Sequence, residues 1–228
     1  MTEAIIRVFE GLLGLYGKQG WWPITPQGKL KPEYHISLED ERQRLEIILG
    51  AILTQNTSWK NAEKAITNLN SESMLDRRSL EKASVEEIAE LIRPAGYFNQ
   101  KTKKIKAYLS MVPENTEPSR EELLKVWGIG PETADSILLY AYGKPEFVVD
   151  AYTERMLREY GLISDTRYEE IKKRIQEPLE KHFPARELVD VFKEFHALIV
   201  EHGKNHYSRK PYGISDPLKI SLQKEKYL

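Results

Sequence analysis

Apolar residues recur at spacings of three and four along almost the whole chain, and no stretch alternates convincingly between apolar and polar. That period buries one face of a helix and cannot bury one face of a strand. The expected fold class is therefore all-α. Helices are expected over 3–16, 42–53, 58–69, 100–111, 150–160, 166–181 and 185–202. Ser84 with Glu87, and Ser119 with Glu122, have the spacing of capping boxes. The first opens a short helix ending before Pro94; the second opens one running through Trp127. Pro131 suits the first position of a further helix that runs to about Tyr142 and stops at Gly143. Residues 18–37 read as an irregular loop, and 203–228 carry only a weak pattern.

With 228 residues, the chain can build one large domain or two smaller lobes. There is no cysteine, which removes disulfides, thiol catalysis and cysteine-ligated metals. No run reaches the ~18 apolar residues of a membrane span. The first ten residues lack the basic start and apolar core of a secretory signal. A cytoplasmic protein without a membrane partner is the expectation.

The net charge of −1 does not suggest a uniformly basic, nucleic-acid-binding surface. Two local stretches are basic and free of acids. One carries Arg93, Lys101, Lys103, Lys104 and Lys106; the other carries Lys204, Arg209 and Lys210. Each can be an anion-binding patch or a solvated helix face.

The segment Val126-Trp127-Gly128-Ile129-Gly130-Pro131-Glu132-Thr133-Ala134 places two glycines around one apolar residue between two helices. Such a turn can be a packing corner. It can equally present free amides and a positive helix end to a phosphate. Twenty residues beyond Gly130, Asp150 follows the apolar run Phe147-Val148-Val149 at a helix start. It can cap that helix, or be held ionised there facing a cleft.

These segments resemble the helix-hairpin-helix DNA glycosylases of the endonuclease III superfamily. Leu49 to Thr57, with Leu-Thr-Gln-Asn-Thr at its end, resembles their helix and damage-probing loop. Gly96-Tyr97-Phe98-Asn99-Gln100-Lys101 is similar to their next hairpin, and His196-Ala197-Leu198-Ile199-Val200 to a late helix. The likeness runs through roughly 40–203. It implies two helical lobes with a DNA-binding cleft between them. One lobe would be a helical barrel over 36–144 containing the hairpin at 119–142. The other would be assembled from 1–35 and 145–228. It further implies Asp150 as catalytic carboxylate and Gln55, Asn56, Gly128, Ile129, Gly130, Thr133 and Lys101 as DNA contacts. Gln55 would fill the gap left by an everted nucleotide.

Two departures from the family narrow the reaction. Glu132 stands where bifunctional members carry the lysine that forms a Schiff base with the sugar. The resemblance thus implies a monofunctional glycosylase with water as nucleophile, although Lys125 and Lys144 lie nearby in sequence. The C-terminal stretch Glu201 to Tyr212 lacks the four cysteines that hold an iron–sulfur cluster in many members, so no such cofactor is expected. His202 and His206 have i,i+4 spacing, which can suit a metal, but Gly203 between them weakens the helix and favours packing or exposure.

Trp21-Trp22-Pro23 is similar to a segment of the cluster-free 3-methyladenine DNA glycosylases of endonuclease III type. The two indoles can fill a core or wall a base pocket, with Leu45 and Glu46 opposite. An alkylated purine is cationic and leaves readily, and an aromatic face attracts a cation. The expectation is a monomeric, prokaryotic, nucleoid-associated enzyme acting on alkylated bases in double-stranded DNA. A bifunctional endonuclease III-like lyase on oxidised or mismatched bases, a non-catalytic DNA-binding module and a helical protein unrelated to DNA are the alternatives.

Overall fold

The computed structural model describes residues 2–164 and 167–228, so the expected start of a helix at Thr166 lies outside the described residues. The chain forms two compact units, one of Trp22–Gly143 and one of Met1–Trp21 with Lys144–Leu228. Among the described residues there is no strand, only an isolated antiparallel bridge between Ile24 and Glu33.

The middle unit holds α2 (Glu41–Leu53), α3 (Trp59–Ser71), α4 (Arg77–Lys82), α5 (Val85–Leu91), α6 (Phe98–Met111), α7 (Arg120–Lys125) and α8 (Pro131–Ser136). Its organising element is α2, buried continuously from Leu45 to Leu53 and packed against α3, α6 and α8. From Leu45 onward it is apolar apart from Glu46, as a helix enclosed in a core should be. Asp40 caps it, accepting from the Gln43 amide at 2.8 Å. Ser84 with Glu87 and Ser119 with Glu122 form reciprocal capping boxes, as their spacing predicts.

Residues 22–35 pack within this unit, whereas the sequence reading groups 1–35 with the terminal segments. The contacts that hold them include those of Trp22 and of Thr25. Trp22 is buried edge-on against Trp59 and Tyr140, with ring centroids 5.5 and 5.1 Å away. A Cβ at Gly50 would sit 2.8 Å from the Trp22 indole nitrogen, so glycine lets the ring lie on α2. Glu46 Oε1 accepts from the Thr25 amide at 2.9 Å and the Thr25 hydroxyl at 2.7 Å.

The terminal unit holds α1 (Thr2–Tyr16), α9 (Ala151–Glu159), α10 (Tyr168–His182), α11 (Leu188–His206) and α12 (Pro217–Lys224). Helix α1 packs against α10, α11 and α12, and α11 packs against α9. Phe9 meets Phe183 and Phe195, and Phe147 meets Phe192 and Phe195, all at ring separations between 5.3 and 5.7 Å. Such edge and tilted contacts are the favoured geometry of buried aromatic rings.

Several elements differ from the sequence expectation; α7, for one, ends at Lys125 and does not run through Trp127. Helix α4 is six residues, four of them charged, too short and polar to show a period. Helix α11 does not end near Gly203; it continues to His206. A Cβ at 203 would overlap the Tyr152 ring, so glycine there permits close packing of α9 and α11. Helix α12 emerges from the weakly patterned tail, capped by Asp216, which accepts from the Leu218 and Lys219 amides at 2.9 and 3.1 Å.

Candidate functional site

The two-glycine hairpin lies in the middle unit. Gly128 has φ +83°, a conformation open chiefly to glycine, and a Cβ there would collide with the stem of Lys104. Ile129 is buried and its amide donates to Val126 O at 3.1 Å, which fixes the turn against the core. Gly130 precedes Pro131 in extended conformation, with open space where a side chain would be. Arg120 makes two hydrogen bonds to the fully buried Asp135, at 2.7 and 3.2 Å, and fastens α7 to α8. The helix expected from Pro131 to Tyr142 widens into a π-helical stretch over Ile137–Ala141. Glu132 stands in the first turn of α8.

The structure joins this hairpin to the loop after α2. The Gln55 amide nitrogen donates to Thr133 Oγ1 at 2.8 Å and to Gly128 O at 3.2 Å. Its carbonyl oxygen accepts from Lys104 Nζ. Gln55, Gly128 and Thr133, separate in sequence, are therefore one constellation. Asn56 beside them is exposed, with φ +54°. An adjoining pocket of about 390 Å³ is lined by Gln55, Asn56, Tyr97, Lys104, Trp127 and Gly128, among others. Tyr97, Lys104 and Trp127 are absent from the site residues expected from sequence. The signals that mark them are a bulky residue directly after Gly96, an aromatic directly before Gly128, and a lysine one turn beyond Lys101.

Lys101 differs from expectation. It is only 2% exposed, and its Nζ donates to Leu53 O and Ala95 O, both at 2.8 Å. It closes carbonyls at the end of α2 and in the adjacent 3-10 turn and cannot also reach a phosphate. Burial, with a smaller contribution from the Lys104 charge, pushes its pKa down to about 8.

Two expected base-pocket residues are also committed elsewhere. The Trp22 ring is enclosed in the middle unit, because Trp59, Tyr140 and Gly50 surround it. Glu46 is 1% exposed and anchors Thr25, so it faces no open pocket. Burial raises its carboxyl to about 7, against the opposing effects of the Thr25 hydrogen bonds and of Arg42, whose nitrogen is 3.6 Å away. Leu45 borders a cavity of about 170 Å³ that Arg42, Arg44, Ile48, Tyr108 and Tyr142 also line.

In the terminal unit, Asp150 is the N-cap of α9. Its Oδ1 accepts from the Thr153 amide and hydroxyl, both at 2.7 Å. The carboxylate is part-exposed, oriented by one oxygen at the positive end of the helix. The preceding residues Phe147, Val148 and Val149 are buried and fix its backbone. His196 on α11 is buried; that burial lowers its pKa, while the charge of Asp150 acts in the opposite sense. Trp21 is half-buried, with Lys204 Nζ 5.9 Å from its ring centre.

The tail that lacks cysteines is closed by a buried polar cluster. Asp216 Oδ2 accepts from Tyr207 at 2.6 Å and from Tyr160 at 2.8 Å, and lies 3.0 Å from His202 Nε2. His202 Nδ1 is 2.9 Å from the Tyr16 hydroxyl. The His206 ring lies 4.6 Å from that of His202. His202 is thus engaged by Asp216 and Tyr16, as its packing reading requires.

Residues 49–181 match the HhH-GPD superfamily of base excision DNA repair proteins. The chain is 41% identical to a Methanocaldococcus jannaschii protein named "Putative DNA repair glycosylase", over 95% of this chain and 94% of that one. It is 29% identical to endonuclease III of Sulfolobus acidocaldarius, covering 80% and 87% of the two chains. Among solved structures, an H. pylori 3-methyladenine DNA glycosylase bound to 1,N6-ethenoadenine superposes with a TM-score of 0.71 at 26% identity, over 90% of this chain and 97% of that one. An endonuclease III–DNA complex shares the fold, with a TM-score of 0.72 at 20% identity, over 96% and 93% of the chains. The chain belongs to the HhH-GPD superfamily of base excision DNA repair proteins, as a DNA glycosylase of endonuclease III type.

Proposed function

We propose that the chain is a monofunctional DNA N-glycosylase that removes alkylated, 3-methyladenine-like bases from double-stranded DNA. The observation that carries this reading is Glu132 in the first turn of α8, where the family resemblance would put the lysine of a bifunctional enzyme. A carboxylate cannot form a Schiff base, so in this reading water is the nucleophile. The similarity to a 3-methyladenine glycosylase supports the choice of substrate.

In this reading Asp150 supplies the electrostatics. The C1′–N bond breaks with its electron pair leaving on the base, and an N3-alkylated purine departs neutral because it began as a cation. The positive sugar is stabilised by the ionised Asp150, whose second oxygen is not spent on Thr153. Water then adds to C1′ and loses its proton to Asp150 or to solvent. The products are a free base and an abasic site.

The amides of Gly128 and Gly130 hold a phosphate of the lesion strand, which positions the enzyme without reading sequence. Asn56, exposed at the loop tip, takes the gap-filling role that the resemblance gives to Gln55. Gln55 instead ties that loop to the hairpin. Trp21 remains the candidate base-stacking residue in the terminal unit. No cofactor takes part, and the enzyme works as a cytoplasmic, nucleoid-associated monomer.

The test is base release from duplexes carrying 3-methyladenine, 7-methylguanine or thymine glycol, assayed with and without alkali. Free 3-methyladenine with nicking only after alkali is the expected outcome. Nicking without alkali, or covalent trapping by borohydride, would establish a lysine nucleophile and overturn the monofunctional reading.

A further inference from the structure

The cavity of about 170 Å³ that Leu45 borders lies wholly within the middle unit and shares no lining residue with the hairpin constellation. Two tyrosines line it. The hydroxyls of Tyr108 and Tyr142 are 3.1 Å apart. Burial raises the pKa of both, so both stay protonated. The pair carries two hydroxyl hydrogens, and the bond between the oxygens uses one. Neither hydroxyl has another partner among the described residues, so one O–H is left over. Tyr108 is buried and Tyr142 half-buried, so that hydrogen is largely sheltered from water. An oxygen placed in the cavity satisfies it.

Arginines adjoin this donor. Arg44 lies over the Tyr142 ring, 5.4 Å from its centre. Its Nε donates to Ala141 O at 3.1 Å and its Nη1 to Glu41, which leaves Nη2. Arg77 is fixed by Nε on Glu81 and by Nη2 on the carbonyls of Leu109 and Val112, which leaves Nη1. Arg42 and Arg78 line the cavity too. The unspent groups are thus mainly N–H and O–H donors, the set that recognises oxygen anions. Glu41, Asp76 and Glu114 border the same space and repel a second negative charge. Leu45, Ile48 and Pro113 supply an apolar wall. A cavity of about 150 Å³ admits a benzene ring, so this one has room for a small apolar body.

We infer that this cavity is a ligand site for a small organic monocarboxylate. Its oxygens accept from the tyrosine pair, Arg44 and Arg77, and its apolar body rests on Leu45 and Ile48. Inorganic phosphate fits less well, since it brings a second charge and no apolar part. The site is separate from base excision and does not depend on the glycosylase reading.

The experiment titrates benzoate into the full chain by calorimetry, against inorganic phosphate at the same ionic strength. Benzoate should bind saturably with a Kd below about 1 mM, and at least about tenfold more tightly than phosphate. It should also raise the thermal midpoint. Tyr108→Phe combined with Tyr142→Phe keeps both rings and removes both hydroxyls. That variant should weaken benzoate about tenfold or more, the scale of one hydrogen bond to a charged group. Arg44→Gln should do the same. Arg78 is exposed with no partner among the described residues, so Arg78→Ala should fold normally and weaken benzoate a few-fold. No saturable benzoate binding, phosphate bound as tightly as benzoate, or an unchanged benzoate affinity in every folded variant would overturn the inference.

Discussion

The Tyr207 hydroxyl donates to Oδ2 of Asp216 at 2.6 Å, inside a unit where both side chains are wholly buried. The same oxygen accepts from Tyr160 and lies 3.0 Å from His202. Oδ1 caps α12. One carboxylate thereby joins α9, α11 and α12 in the cysteine-free tail. Burial opposes its ionisation, but the hydrogen bonds from His202 and Tyr207 outweigh that, and its pKa falls below the ordinary aspartate value.

Asp216→Asn should therefore destabilise the protein by about 3 kcal/mol, the scale for breaking a buried, hydrogen-bonded ionic group. Because the folded pKa is depressed, the stabilisation from Asp216 is present above the unfolded value and lost as pH falls through the folded one. Urea titrations from pH 3 to pH 7 should show wild type losing stability with acid and the variant losing less. An unchanged midpoint for Asp216→Asn at pH 7 would refute the clasp.

Glu46 should show the opposite dependence. Its pKa rises from 4.5 to about 7 on folding, so the folded chain holds a proton that the unfolded chain has released. Stability contributed at this site falls as pH rises from about 4.5 through 7, by up to about 3 kcal/mol. Glu46→Gln removes the titration and should flatten that part of the profile. A variant with the wild-type slope would assign the dependence to other groups.

Lys101 separates structure from binding. Lys101→Met leaves the carbonyls of Leu53 and Ala95 without their donor, and should cost about 2 kcal/mol of stability. The salt dependence of DNA binding should be unchanged, since no phosphate contact is lost. A shallower salt slope for Lys101→Met, with normal stability, would return Lys101 to the DNA interface.

Local signals were readable in the sequence, and non-local ones were not. Ser119 with Glu122, Pro131 and Gly128 act within a few residues of themselves, so their spacing is enough to place the hairpin. Asp150 as a cap is local in the same way. Trp22, Glu46 and Lys101 look like site residues because they are aromatic or charged near the right motifs. Their burial depends on Gly50, Thr25 and Leu53, each at least 21 residues from the side chain it meets. Gly203 reads as a helix breaker until Tyr152 is packed against it. Tyr97 is marked in the sequence as a bulky residue after Gly96, but its left-handed φ and its exposure emerge only with the fold.

The most direct measurement is single-turnover release of 3-methyladenine by Asp150→Asn. Asparagine still accepts from the Thr153 amide, so the cap and the thermal midpoint should be nearly preserved. Removing the negative charge should slow base release by at least about 100-fold, the scale for loss of an aimed electrostatic group. Release within a few-fold of wild type by the folded variant would contradict the assignment of Asp150 as the catalytic carboxylate.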